Sequence, residues 1–458
     1  MIRALADEVR ARRVGARELV ERSLERIGAR DPELNAVVAL RADEALAEAR
    51  ALDERLAAAG SAGVLAGLPL LVKDITDVTG MRTTHGSLLF ADAPPATTDA
   101  LVVARLRAAG AIVVGKTNTP EFACAGFTTN LVFGTTRNPW NPAFSPGGSS
   151  GGSAVAVAAG MAPIATATDT GGSVRIPAAY CGIVGLKPTS GAIPRDPAAR
   201  ATDWIDLTTD GPIGATVDDV RLLFEVLTGS PRPRSSLIRP SRTIVFERWI
   251  AREPPPDLVA PFAAAVDAFA GLGGPAPEPG DPSALFGGDS LDEEWGLLAA
   301  PELLAIVGGR TALEEEHDLL HPATDGFARL GAQMGIDTYL DARRRRFALT
   351  DALTALLGED GVIVSPTMAG DAPPADGPVP IDGDVDAGIY DNVVAQNLTG
   401  FPAISLPAGL APSGVPFGLQ VTAPPNREDL LLAIAEAWQD ARPWPLTAPG
   451  FDPFWEGR

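Results

Sequence analysis

The stretch from Ser145 to Pro188, SPGGSSGGSAVAVAAGMAPIATATDTGGSVRIPAAYCGIVGLKP, decides the reading of this chain. Two glycine-serine clusters lie in it, GGSSGG at 147–152 and TGGS at 170–173. A helix-like segment, Ala154 to Ala159, and an apolar run lie between them. Glycine opens backbone conformations closed to other residues and lets the chain approach a ligand closely. Serine adds a hydroxyl that can attack a carbonyl or pass a proton. One such cluster reads as a turn. Two, flanking a short buried element, read as a site.

The 458 residues are 46% hydrophobic and 21% charged, enough for a large core and too apolar for global disorder. Large α/β enzymes of this length often form one domain. A formal charge of −21 argues against nucleic acid and anionic membrane surfaces, which call for basic patches. MIRALADEVRARR at the N-terminus has no apolar core of a signal peptide, and no run of 18 apolar residues occurs. Cys124 and Cys181 form neither a metal-ligand spacing nor a disulfide framework. The expectation is a cytoplasmic protein without metal or organic cofactor.

Of 37 basic residues only three are lysines: Lys73, Lys116 and Lys187. Where nearly every basic position has become arginine, a retained lysine is a candidate for work a guanidinium cannot do. An ammonium loses its proton when desolvated; a guanidinium effectively does not. Chance retention or packing is the alternative for each.

Residues 1–60 read as a peripheral helical layer. Leu19, Leu24 and Ile27 keep near-helical spacing, and a second helix at about 41–59 follows a break at Asp31-Pro32. From Gly67, GLPLLVKD reads as a buried strand with Lys73 and Asp74 at its C-terminal end, the end where open α/β sheets build sites. A helix near 99–109 and a strand AIVVG at 111–115 continue an alternation that predicts βαβ units. TVDD at 216–219 resembles a capping box opening a helix through Leu227. Residues 230–355, rich in proline and acidic clusters, read as a variable excursion packed over the core and shaping a substrate pocket. Strands return at 361–367, 397–409 and 417–424, and a helix from Glu428 to Asp440 closes the fold. The expected class is α/β: one large domain, 61–458, on a mixed, mostly parallel sheet surrounded by helices.

Two familiar motifs are rejected. GAIVVGKT at 110–117 matches the phosphate-binding loop pattern, but its interior Ala-Ile-Val-Val is itself the strand, and Pro120 follows where a helix should run. GGSSG at 147–151 matches the nucleophile elbow of serine hydrolases, which needs a downstream histidine. His85 lies upstream, and His317 and His321 fall in the acidic excursion.

Lysine as base is the remaining reading. Ser173 attacks; the backbone amides of Thr170, Gly171, Gly172 and Ser173 converge as an oxyanion hole; Ser149 bridges to Lys73, whose desolvation makes it a proton acceptor. The alternative is two tight turns, with Lys73 merely paired to Asp74. Both clusters together with a retained lysine favour the site.

These stretches resemble the amidase signature family. GLPLLVKD, GKTNTPEFA, GGSSGGSAVAVAAG, TDTGGSVRIPAAYCGIVGLKPTSG, GPIGATVDDV and NLTGFPAISLPAG carry the resemblance over about 67–229 and 361–436. It implies C–N bond hydrolysis by a Ser-cisSer-Lys triad: Lys73 as base, Ser149 as cis-serine, Ser173 as nucleophile. It further implies Ser150 and Thr168 as supporting hydroxyls, and Asp169 with Arg175 as a structural ion pair. DITD at 74–77 and Gly214-Ala215 depart from common family forms without touching the triad. Glutamine-dependent amidotransferase subunits of the family commonly carry Gln three residues after the nucleophile; here it is Ile176. The expected acyl group is therefore uncharged and partly apolar or aryl, with a glutaminase subunit of an amidotransferase complex as the alternative. Segments 128–136, 176–180, 300–350 and 366–395 are the expected pocket walls. Phe127, Phe133, Trp204 and Tyr390 are candidate lining residues, each otherwise ordinary core. The expected partner is a small amide, and the resemblance suggests a homodimer.

Overall fold

Lys73 ends a five-residue strand in which every residue is buried, and the architecture is easiest to follow outward from it. The computed structural model describes residues 1–58, 60–195, 204, 206–231, 239–250, 253–286, 290–376 and 389–455. That strand, β2 (Pro69–Lys73), runs parallel to β3 (Ile112–Thr117) and β4 (Ile164–Ala165); β1 (Val37–Leu40) adds antiparallel to β3. The short β5 (Thr168–Asp169) pairs antiparallel with β7 (Thr209–Asp210). A seven-stranded sheet completes the α/β domain. It is built from β6 (Val184–Lys187), β8 (Ile213–Gly214), β9 (Arg242–Val245), β10 (Glu278–Pro279), β11 (Gly361–Pro366), β12 (Ala403–Leu410) and β13 (Pro416–Thr422), in the order β10-β9-β11-β13-β12-β6-β8.

The sheets are mixed, but parallel pairing dominates only around β2. In the large sheet β9 pairs parallel with β10 and β11, and the remaining neighbours are antiparallel. For one of these pairs the cause is local: β12 and β13 are joined by a tight turn closed by Ala411 N–H to Val415 O (2.8 Å), a connection only antiparallel strands accept.

Helices α1 (Ile2–Arg10), α2 (Ala16–Leu34) and α3 (Ala42–Ala57) form the N-terminal layer. That layer is not helical throughout, because β1 lies within it. Nor does α2 break at Asp31-Pro32. The Asp31 carboxylate accepts the amides of Ala36 (2.7 Å) and Val37 (3.0 Å), and Asn35 sits in the left-handed region at φ 51°, so the chain turns after Leu34. α4 (Leu101–Ala108) feeds β3. α5 (Gly151–Ala158) and α6 (Arg175–Cys181) are fully buried; α5 begins on the last two glycines of the first glycine-serine cluster, and α6 begins two residues after the second.

α7 (Val217–Thr228) carries the expected capping box: Thr216 Oγ1 accepts from Asp219 N–H and Asp219 accepts from Thr216 N–H, each at 3.2 Å. Thr216→Ala is expected to cost about 1 kcal/mol, read as a lower denaturant midpoint with unchanged slope.

The 230–355 segment is more than a cover. β9 joins the large sheet, and α8 (Pro256–Ala270) buries Leu258, Phe262, Ala265 and Phe269 in the main core. α9 (Leu291–Ile306), α10 (Gly309–Glu316), α11 (Pro322–Gln333) and α12 (Ile336–Leu357) form a second apolar cluster beside the site. The expected strand at 397–409 is divided: α13 (Asp391–Thr399) ends at Gly400, φ 77°, and β12 starts only at Ala403. α14 (Glu428–Ala441) closes the fold. Among the described residues no single helix is long and apolar enough to cross a membrane.

Candidate active site

The end of β2 delivers Lys73, with none of its surface exposed, to three hydroxyls. Its Nζ lies 2.6 Å from Ser149 Oγ, 3.0 Å from Ser150 Oγ and 3.0 Å from Thr168 Oγ1. Ser149 and Ser150 precede α5, and the Gly148–Ser149 peptide bond is cis. A side chain at 148 would collide with Phe127 O at 2.4 Å, so glycine is required there. Ser150 Oγ also accepts from Thr168 N–H (3.3 Å), which ties the turn to β5. Asp74 does not pair with Lys73: its carboxylate meets Lys116 Nζ at 3.1 Å and accepts from the Thr84 hydroxyl. Lys187 donates to Phe401 O (2.8 Å) and Pro188 O (3.1 Å); burial and the Arg175 charge push its amine down to about 7.

Ser173 sits just before α6, and its carbonyl accepts from Ser150 N–H (3.3 Å). This joins the two clusters through backbone. The Ser173 hydroxyl makes no hydrogen bond to a described residue and lies on the wall of a cavity of about 330 Å³. Thr170 and Gly171 share that wall, and among the described residues their amides and that of Ser173 donate to nothing. The Gly172 amide is different. It donates to Asp169 Oδ1 at 2.8 Å, so it is withdrawn from the expected set of four oxyanion donors. Asp169 needs that donor because it holds both ends of the turn, also accepting Val174 N–H at 3.1 Å.

Asp169 and Arg175 form a fully buried pair, with Arg175 Nε to Oδ2 at 3.0 Å and a second guanidinium nitrogen to Oδ1 at 2.8 Å. The remaining donors of Arg175 go to Gln396, Gln420 and Asn397 at 2.7–2.8 Å. Burial alone would raise the Asp169 carboxyl. The Arg175 charge and hydrogen bonds, with Lys187 and Asn397, outweigh it and bring it down to about 2.

Ile176, Phe127 and Tyr390 line the cavity, as expected from sequence. Phe133 and Trp204 do not; the Trp204 indole is buried, donates to Phe122 O (3.0 Å) and lies behind Trp295. Of the expected walls, 128–136 contributes nothing, 176–180 only Ile176, and 300–350 only α11 through Ala323, Gly326, Phe327 and Leu330. The 366–395 wall supplies Tyr390 and Val394, and its residues 377–388 lie outside the described residues. Residues 123–126, Asp292 and Trp295 were not anticipated.

Neither described histidine side chain lines the cavity, although the His321 ring lies 6.4 Å from that of Phe127. His85 is packed against Phe90 and Phe122, and burial pushes it down to about 4. His321 Nδ1 accepts Ala323 N–H at the start of α11. The His317 side chain lies outside the described part. Among the described residues no group of three or more His, Cys, Asp or Glu side chains could hold a metal ion.

A family model described as Amidase matches residues 18–248 and 314–432. AmiB2 of Mycobacterium tuberculosis, which carries the name of an amidase, is 35% identical over 444 residues, covering 94% of both chains. A glutamyl-tRNA(Gln) amidotransferase subunit from Chromohalobacter salexigens is also 35% identical, over 98% of this chain and 97% of that protein. Among solved structures, a bacterial aryl acylamidase of the amidase signature family superposes with TM-score 0.85 at 27% identity, over 96% of this chain and 95% of that one. A 6-aminohexanoate cyclic dimer hydrolase gives TM-score 0.84 at 27% identity over 98% of each. With sequence matches over nearly the whole length and a shared fold, this chain belongs to the amidase signature family of amide-hydrolysing enzymes.

Proposed function

We propose that this enzyme hydrolyses a carboxylic amide through an acyl-enzyme on Ser173, with Lys73 as base acting through Ser149. The observation that carries the proposal is the contact of Lys73 Nζ with Ser149 Oγ, 2.6 Å in a fully buried setting. As a free amine, Lys73 gives its two hydrogens to Ser150 and Thr168 and turns its lone pair to the Ser149 hydroxyl. Ser173 Oγ attacks the carbonyl carbon while its proton moves to Ser149 Oγ, and the Ser149 proton moves to Lys73 Nζ. The Ser149–Ser173 hydrogen bond closes with substrate present, as catalytic contacts commonly do. The oxyanion is held by the amides of Thr170, Gly171 and Ser173. Return of the proton along the same path expels the amine, and water attacks the ester by the same relay in reverse.

Ile176, 1% exposed on the cavity wall, supports an apolar or aryl group beside the carbonyl. The likeness to a tRNA-dependent amidotransferase subunit motivates the second reading, a glutaminase partner in a complex. A panel of glutamine, aliphatic amides and anilides separates the two. Anilides or apolar amides are expected to exceed glutamine in kcat/KM by about 10–100-fold, and rapid quenching is expected to leave the acyl group on the peptide bearing Ser173. Turnover of glutamine alone overturns the pocket reading, and an acyl label on another residue overturns the nucleophile.

A further inference from the structure

Among the described residues lining the cavity at Ser173, one is a carboxylate, Asp292, in the first turn of α9. Its backbone is accounted for. The N–H groups of Leu291 (2.8 Å) and Asp292 (3.0 Å) and the Ser290 hydroxyl (3.1 Å) all donate to Asp391 Oδ1, which pins the start of the helix. The Asp292 carboxylate itself makes no hydrogen bond or ion pair to a described residue. Trp295, one turn further on, brings an indole to the same wall. It donates to Thr170 O at 2.8 Å and lies so close over Gly171 that a Cβ there would meet the ring at 3.0 Å. Phe327 stacks on that indole, centroids 5.7 Å apart and planes 6° from parallel, and Tyr390 and Phe127 complete an aromatic surround.

A carboxylate without a partner among apolar groups is expensive to keep. Burial, then the charges of Asp391 and Glu293, push the Asp292 carboxyl up to about 7. Among the described residues, no hydrogen bond or ion pair of a neighbouring group reaches its carboxylate. Glu293 is on the same turn, and Tyr390 and Asp391 open α13. Arg248 acts on Asp391, and α12 sends Arg345 to Glu294 at 2.9 Å. α11 contributes only Ala323, Gly326, Phe327 and Leu330 to the cavity. A carboxylate beside aromatic faces is an arrangement that binds ammonium groups, through charge-assisted hydrogen bonds and cation–π contact.

We propose that the substrate of this enzyme carries a basic amine, received by Asp292 among Trp295, Phe327 and Tyr390, while its scissile carbonyl lies at Ser173. The inference rests on the serine acyl-enzyme reading and adds a specificity determinant to it. The apolar group beside Ile176 then forms the body of an amine-bearing molecule.

Two matched pairs of benzanilides test it, each pair differing only in a terminal aminomethyl or ethyl substituent, placed on the acyl ring in one pair and on the aniline in the other. In at least one pair the amine is expected to raise kcat/KM by about tenfold or more, chiefly through KM. That preference is expected to grow between about pH 6 and pH 8, as Asp292 ionises while the amine stays charged. In Asp292→Asn the ratio is expected to approach one and its pH dependence to vanish. Benzylamine and benzyl alcohol, titrated directly into the enzyme, give a readout without turnover. Benzylamine is expected to bind at least about tenfold tighter to the native enzyme, and equally in the Asn variant. Equal handling of both pairs with equal binding of the two fragments overturns the inference, as does a preference that survives Asp292→Asn. Ser173-dependent turnover without amine preference sinks this inference alone, whereas turnover surviving Ser173→Ala sinks the acyl-enzyme reading beneath it.

Discussion

A Ser173→Ala enzyme is expected to keep its fold and lose amide turnover to the uncatalysed background, and Lys73→Ala to lose about 10²–10⁴ in kcat/KM. The two effects differ in kind. The Ser173 hydroxyl makes no hydrogen bond to a described residue, so its removal breaks no such bond while deleting the atom that would form the ester. Removal of Lys73 takes away the acceptor at 2.6 Å from Ser149 Oγ and leaves Ser150 and Thr168 without that partner. Because both act in one proton-transfer chain, the losses are not additive. The double variant is expected to be no slower than Ser173→Ala alone. An activated phenyl ester is expected to suffer less than an anilide in Lys73→Ala, because a phenolate leaves without the proton that an amine requires. Full anilide turnover in Lys73→Ala would remove the relay, provided the melting temperature shows the variant folded.

Much of the candidate site was legible because its proposed chemistry uses unusual residues at close spacing. Three lysines in an arginine-rich chain drew attention to Lys73, and the glycine-serine clusters located Ser149 and Ser173. What sequence could not resolve was which neighbour each group chooses. Asp74 is adjacent to Lys73 in the chain, yet it reaches Lys116 on the parallel neighbour β3, because successive residues at a strand end point to opposite sides. The Gly172 amide looked like an oxyanion donor because the turn around Asp169 that consumes it is a matter of backbone conformation. Asp292 and Trp295 lie in an acidic helical segment without a motif. Their place on the cavity wall goes with α9 being fastened by Asp391 about a hundred residues later. The fold shows the same division. Buried strands such as β2 and β3 announce themselves by apolar runs, whereas β1 is four residues between helices and is a strand because β3 offers it an edge.

Replacing Arg175 by alanine is expected to cost about 3–5 kcal/mol in stability and to depress turnover as well. The cost comes chiefly from what stays behind. Asp169 remains fully buried without its cation, and the acceptors of Gln396, Gln420 and Asn397 lose their donor. The pH dependence separates this from a simple packing defect. In the native enzyme Asp169 is held at about 2, below its ordinary value near 4, so its contribution to stability is complete above about pH 4 and fades as pH falls toward 2. Without Arg175, burial raises the carboxyl instead, and the variant is penalised wherever Asp169 would have to ionise. The stability gap between the two proteins is therefore expected to be widest near neutral pH and to narrow below about pH 4. Adding Asp169→Asn to Arg175→Ala is expected to recover part of the loss by removing the unpaired charge. Turnover falls because Asp169 also holds the amides of Gly172 and Val174, on either side of the nucleophile. Denaturant unfolding between about pH 3 and pH 8 decides the matter: a gap under about 1 kcal/mol, or one independent of pH, would mean that the pair is not what fixes the Ser173 turn.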